Sequence, residues 1–139
     1  MGSVHAEIIL KNVRDVEFAS GGIIKEEDIR SLKVNALVDT GAMSLCITDE
    51  IREKLGLKIM ESRPVRIANG ERIVCKIASA VDIYWKNRFT TVRPYVIPGA
   101  EIILLGVIPL EDLDLIVNPI SKELVGAHGD DWMGMAMTA

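Results

Sequence analysis

Asp39 stands at the end of an apolar run, Ala36-Leu37-Val38, and opens the tripeptide Asp39-Thr40-Gly41 before the chain turns apolar again at Ala42, Met43, Leu45 and Cys46. A carboxylate at the end of a buried strand lies where solvent is scarce, so its surroundings can tune its protonation. Thr40 adds a short hydroxyl able to lock the turn or bridge to a symmetry-related copy. Gly41 permits a tight backbone that turns an amide toward the carboxylate. The chain has one such element, so the first hypothesis is a half-site that a two-fold axis completes. Two Asp39 carboxyls brought together cannot both ionise and would share one proton. The ionised member would polarise a water and the protonated member would donate to a carbonyl oxygen under attack. That is acid–base hydrolysis without a covalent intermediate, and it needs no metal and no cofactor. The bland reading is a structural aspartate bonding nearby amides in a turn. A chance Asp-Thr-Gly is expected in roughly one chain in sixty of this length, so the bare match proves little. Apolar strands on both sides, with a second apolar-Gly element downstream, are more than a turn requires.

The elements that must position Asp39 can be read from periodicity. Residues 4–18 alternate loosely and predict a first strand, or one that folds back on itself, ending at Gly21-Gly22. Leu32, Val34, Ala36 and Val38 share one face of a strand over 31–38 that leads into the Asp39 turn, and 43–47 resume as a short strand. Thr48 predicts a helix cap, Ile51 and Leu55 fall four apart, and Gly56 stops a helix over about 49–55. Asn69-Gly70 marks a long hairpin over 63–84 whose far arm carries Ile73, Cys75, Ile77, Ser79, Val81 and Ile83 on one face. Lys86-Asn87 predicts another turn, and 88–97 a strand in which Pro94 favours an edge or bulge. Residues 101–105 read as a buried strand ending at Gly106, 108–113 as a helical turn, and 114–118 with 122–126 as a closing hairpin. The expected fold is all-β, a small closed barrel with one or two short helices. It forms a single domain over 1–126, followed by a flexible Met- and Gly-rich tail over 127–139.

Bulk composition narrows the function classes. At 139 residues the chain can bury a core without metal or disulfide staples. A net charge of −4, no Lys/Arg block and only 4% aromatics argue against nucleic acid as partner. No apolar run approaches about 18 residues and no leader-like segment opens the chain, so no membrane association and a soluble cytoplasmic protein are expected. Cys46 and Cys75 lack metal-ligand spacing and read as buried reduced thiols; no metal site and no cofactor are expected. His5 and His128 read as exposed and remote from the motif. Trp85 sits at a turn and reads as a cap on the barrel, with a partner contact as the weaker alternative. Met133, Met135 and Met137 read as part of the tail.

Leu37-Val38-Asp39-Thr40-Gly41-Ala42 resembles the signature of retropepsin-like aspartic proteases, the single-domain homodimeric relatives of pepsin, and of their small bacterial group in particular. Leu104-Leu105-Gly106 resembles the second hallmark of that family, and its glycine lies 67 residues beyond Asp39. Ile67-Ala68-Asn69-Gly70-Glu71 falls where the family carries its flap. The resemblance spans about 30–126. It implies a barrel of retropepsin type, an aspartic endopeptidase acting on extended polypeptides, and a homodimer that completes the active site. Asp39 would be the catalytic carboxylate, Thr40 would grip its mate, and Gly41 and Ala42 would line the floor. Asn69 and Gly70 would cover the substrate, with Ile67 and Ile108 among the lining residues. Ala42 stands where pepsins place a hydroxyl, which implies a mildly acidic optimum shifted up relative to pepsin. The flap tip is poorer in glycine than is usual and carries Glu71. In the retroviral members the chain ends interleave between subunits, a part that residues 4–10 and 122–126 would play here. Two rivals stand beside this reading: a catalytically inactive peptide-binding or dimerisation module of the same fold, and a hydrolase that uses Asp39 with a metal.

Overall fold

Strict alternation decides the first strand. In the computed structural model, which describes residues 3–130, β1 (His5–Asn12) turns Ala6, Ile8 and Leu10 into the core and His5 and Glu7 outward. The chain does not stay extended to residue 18. Val13–Ser20 forms helix α1, because the Asn12 side chain accepts from the Asp15 amide and caps it. The valines of α1 suit a strand, but the cap and the tertiary bonds around it override that preference.

The remaining strands follow the predicted order with sharper breaks. They are β2 (Ser31–Val38), β3 (Leu45–Ile47), β4 (Ile59–Arg66), β5 (Arg72–Ala78), β6 (Val81–Trp85), β7 (Arg88–Val92), β8 (Tyr95–Val96), β9 (Ile103–Leu105), β10 (Leu115–Asn118) and β11 (Glu123–Gly126). Helix α2 (Asp49–Leu55) matches its prediction. The Thr48 hydroxyl accepts from the Ile51 amide, and Gly56 closes the helix at φ 66°. Helix α3 (Val107–Asp112) follows β9 directly. The long arm predicted after Gly70 divides at Ser79-Ala80. There the Ala78 amide bonds the Pro94 carbonyl and the Ser79 amide bonds the Lys58 carbonyl, so the chain leaves one part of the sheet and rejoins it beside β1. Arg93-Pro94 likewise splits the predicted 88–97 strand into β7 and β8.

Nine strands form one sheet in the order β4-β5-β8-β3-β9-β2-β1-β6-β7, and β10 pairs with β11 beside it. The architecture is mainly β, a curled half-barrel with three short helices, which bears out the expected retropepsin-type barrel class. Ile8, Leu10, Leu45, Ile47, Val81, Ile83, Leu105 and Leu113 fill the core together with Leu55 of α2 and Leu110 of α3. Trp85 is buried against it, as a residue capping the barrel would be. Among the described residues no helix is long and apolar enough to cross a membrane.

The structure bears on two expectations about the chain ends. Residues 5–11 are bonded to β2 along their length, and β6 pairs with 9–12 on the other side, which leaves only the 5–8 part of that edge without a strand partner among the described residues. β11 pairs with β10 and keeps its other edge without a strand partner among the described residues. Residues 127–130 continue from it: the Ala127 amide bonds the Asp114 carbonyl, and the Arg88 guanidinium donates to the Gly129 carbonyl at 2.6 Å. His128 is not isolated, since its Nδ1 lies 2.8 Å from Asp114. The three tail methionines lie outside the described residues.

Two devices fix the strands that carry the Asp39 turn, one at the start of β2 and one at its end. One is a polar knot. Asp15 accepts the Arg30 amide and two guanidinium bonds at 2.8–2.9 Å, while Asn12 donates to the Leu55 carbonyl at 2.8 Å. These bonds tie α1, the end of α2 and the start of β2. The other is topological. Consecutive strands β2 and β3 do not pair; β9 lies between them, parallel to β2 and antiparallel to β3. The 39–44 segment must therefore cross the end of β9, a span of two strand spacings or about 9.6 Å. At the crossing the Gly106 amide bonds the Ser44 carbonyl, the Val107 amide bonds that of Ala42 and the Ile108 amide that of Met43. A Cβ on Gly106 would sit 2.5 Å from both the Ala42 and Ser44 carbonyl oxygens.

Gly106→Ala is therefore expected to cost about 3 kcal/mol in urea unfolding; a loss under about 0.5 kcal/mol would mean that the crossing tolerates a methyl group. The Arg30 hydrogen bonds, working against the cost of burial, hold the Asp15 carboxyl below its ordinary 3.8. Its contribution is thus present above that ordinary value and is lost as pH falls through the lowered folded value. Asp15→Asn should cost about 2 kcal/mol at pH 7, with the difference from the native protein closing as pH is taken well below 3.8.

Candidate functional site

Asp39 follows immediately on β2, and its backbone amide continues the ladder to β9 by donating to the Leu105 carbonyl at 3.0 Å. Its own carbonyl accepts from the Ala42 amide at 3.0 Å, closing the turn. One carboxylate oxygen, Oδ1, accepts from the Gly41 amide at 2.9 Å. A Cβ on Gly41 would approach that oxygen to 3.1 Å, so the absence of a side chain keeps the carboxylate seated. Asp39 is half-buried, while Thr40 and Gly41 face solvent. Among the described residues the carboxylate is thus oriented by backbone alone, with one oxygen held and no cationic side chain bonded to it.

The sheet beneath the turn presents a second face. Leu45 and Ile47 enter the core, so Cys46 points to the opposite side, where its register partners are Leu104 of β9 and Tyr95 of β8. Leu104 in turn pairs with Leu37. Tyr95, Cys46, Leu104 and Leu37 therefore form one half-buried row across four strands, and Asp39 leaves the sheet two residues beyond Leu37. Burial above all, then the nearby Cys75 and Asp39, push the Cys46 thiol up to about 11. It stays protonated near neutral pH and is a poor nucleophile. Of the two reactive side chains at this spot, the carboxylate is the one equipped for chemistry. Cys75 is buried as expected, whereas Cys46 is only partly so.

The expected flap is the β4–β5 hairpin. Its tip closes by bonds from the Ile67 amide to the Glu71 carbonyl and from the Gly70 amide to the Ile67 carbonyl, both 2.9 Å. Gly70 adopts φ 88°, the left-handed residue that closes such a loop. The Asn69 side chain accepts from the Glu71 amide at 2.9 Å and braces the tip from within. The loop is thus longer than the two-residue turn that Asn-Gly suggests.

The structure brings Asp39, Thr40, Gly41, Ala42 and Ile108 together around Gly106. Ile67, Asn69 and Gly70 lie apart from them, at the tip of a hairpin joined to β3 through β8. Sequence reasoning overlooked Met43, which is 68% exposed and bonded through its carbonyl to the amide of Ile108, itself 48% exposed. It also overlooked the Cys46–Leu104–Leu37 row. Alternation from Leu45 and Ile47 would have exposed Cys46, but the register that aligns it with Leu104 and Leu37 is a long-range fact. An open groove of about 750 Å3 reaches Leu37 and Ile102, yet Asp39 is not among its lining residues. In one chain the carboxylate sits on a face rather than in a pocket.

Comparison with known proteins agrees with this geometry. The aspartyl protease family profile matches residues 26–108, a span that holds Asp39-Thr40-Gly41, the β4–β5 hairpin and Leu104-Leu105-Gly106. No curated protein matches the chain. Among solved structures, a retropepsin-like aspartic protease from Rickettsia conorii has a similar fold, with a TM-score of 0.53 and 22% identity over 84% of this chain and 85% of that one. With more than half of its length matched by the family profile, the chain belongs to the aspartyl protease family and has a retropepsin-like fold.

Proposed function

We propose that this chain is an aspartic endopeptidase, active as a symmetric homodimer in which Asp39 of each copy supplies half of the catalytic pair. The observation that carries the reading is the seating of Asp39. Its carboxylate is oriented by the Gly41 amide on an open face beside the exposed apolar side chains of Met43 and Ile108. An apolar rim around an oriented carboxylate suits a second copy of the same surface. The two carboxyls would then hold one proton between them.

The chemistry follows from that pair. The ionised carboxylate takes a proton from a water as its oxygen attacks the peptide carbonyl carbon. The protonated carboxyl gives its proton to the carbonyl oxygen, forming a neutral tetrahedral diol. The carboxyl that took the water's proton then gives it to the amide nitrogen while the other, now ionised, takes a proton from one diol hydroxyl; the C–N bond breaks, the acid and amine products leave, and the pair again holds one proton. Thr40 would brace its counterpart across the axis, Gly41 and Ala42 would form the floor, and Ile108 would line the cleft. An extended peptide would lie between this floor and the hairpin tip at Ile67, Asn69 and Gly70, held by main-chain hydrogen bonds.

Digestion of a peptide library between pH 3 and pH 8 tests the reading. Cleavage is expected with a bell-shaped, mildly acidic profile and no effect of chelators. Asp39→Asn should lower kcat/KM by at least about 10^3-fold with an unchanged circular dichroism spectrum. Tight peptide binding with no cleavage at any pH would identify a binding module instead, and inhibition by chelators would point to a metal hydrolase. Ile108→Glu should shift the sedimentation profile toward monomer and remove activity in parallel. An active Ile108→Glu monomer would overturn the homodimer requirement.

A further inference from the structure

The charge of the β4–β5 hairpin runs against that of the chain. Residues 59–78 carry Arg63, Arg66, Arg72 and Lys76 against Glu61 and Glu71, whereas the whole chain has a net charge of −4. Two of these cations have partners. Arg63 donates to Glu61 at 2.6 Å and to the Tyr95 hydroxyl at 3.3 Å, and Lys76 is close enough to Asp49 to help lower its carboxyl pKa. Glu61 is also taken by Arg93 at 3.4 Å. Arg66 and Arg72 make no ion pair among the described residues, and both are exposed.

These two arginines are register partners, directly opposite each other one step below the tip loop. Like charges so placed destabilise an antiparallel pair, and neither side chain supports the core. Val74, on the same face as Arg72, is 61% exposed; it and Lys76 line the groove of about 750 Å3. Asp49 and Glu50, which line it too, are already paired with Arg52 and Lys54. Glu101 also lines the groove and would repel an acidic run there, which confines the attraction to the hairpin neck.

We propose that Arg66 and Arg72 form an exosite for acidic side chains of the polypeptide substrate, so that Asp or Glu residues flanking the cleaved segment are selected. This rests on the peptidase reading above. Guanidinium groups suit it because each presents a planar fork that matches a carboxylate. The repulsion built into the free hairpin is relieved when an anion lies between them.

Binding to the full-length Asp39→Asn protein tests the exosite without requiring turnover. The probes are fluorescently labelled peptides carrying four Glu, four Gln or four Lys residues in one otherwise neutral sequence, and a single-stranded thymidine oligonucleotide. At about 50 mM salt the Glu peptide should bind about tenfold tighter than the Gln peptide. The preference should vanish in the Arg66→Gln/Arg72→Gln variant and at about 0.5 M salt. The same variant should melt roughly 1–3 °C higher as the repulsion is removed. Equal binding of the Glu and Gln peptides, a preference that survives the double variant, tighter binding of the oligonucleotide, or a lowered Tm would each overturn the proposal. Failure here leaves the peptidase reading standing, because that reading is judged on cleavage by the native protein.

Discussion

The turn that carries Asp39 is held by a backbone crossing, and little else in the molecule would be positioned without it. β9 enters the sheet between two strands that are consecutive in the chain, so the 39–44 segment must bridge its end. Three successive amides, from Gly106 to Ile108, satisfy the carbonyls of that bridge. The bonds are possible only because Gly106 presents no Cβ to the carbonyls above it. The crossing fixes both ends of the turn, and a hydrogen bond from Gly41 then fixes the carboxylate within it.

The sheet around this crossing has two faces with different tasks. On one, Leu45, Leu105 and Ala36 are fully buried and anchor β3, β9 and β2 in the core. On the other, the same three strands present Cys46, Leu104 and Leu37 as a half-buried apolar floor. Period-two alternation thus lets one short stretch of sequence build the core and line the approach to Asp39. The thiol on that floor is kept protonated by burial and by its neighbours, which leaves the carboxylate as the chemically competent group.

Much of this was legible in the sequence, for identifiable reasons. β2, α2 and the turn at Lys86-Asn87 carry local signals strong enough to mark themselves, and Thr48 and Gly56 cap the helix where their side chain and backbone freedom predict. Helix α1 was not legible, because its valines suit a strand and its stability comes from bonds to Leu55 and Arg30, far away in sequence. The break at Ser79-Ala80 was hidden by continuous alternation, since the face that Val81 and Ile83 occupy continues the pattern of Ile73 and Cys75. At the site, Asp39, Thr40 and Gly41 announced themselves by residue type. Met43 and Cys46 did not: their proximity to Asp39 depends on the path of β9, and no local period encodes a strand that inserts between two others.

The central claim is that one active site is shared by two chains, each contributing one Asp39. Mixing the native protein with its Asp39→Asn variant and allowing full subunit exchange tests this most directly, because mixed dimers would carry one carboxylate and one amide. At equal amounts and fixed total protein, a shared site predicts that activity falls to about one quarter of the all-native value, since only native pairs turn over. A fall to about one half would mean that each chain acts alone, and would contradict the account.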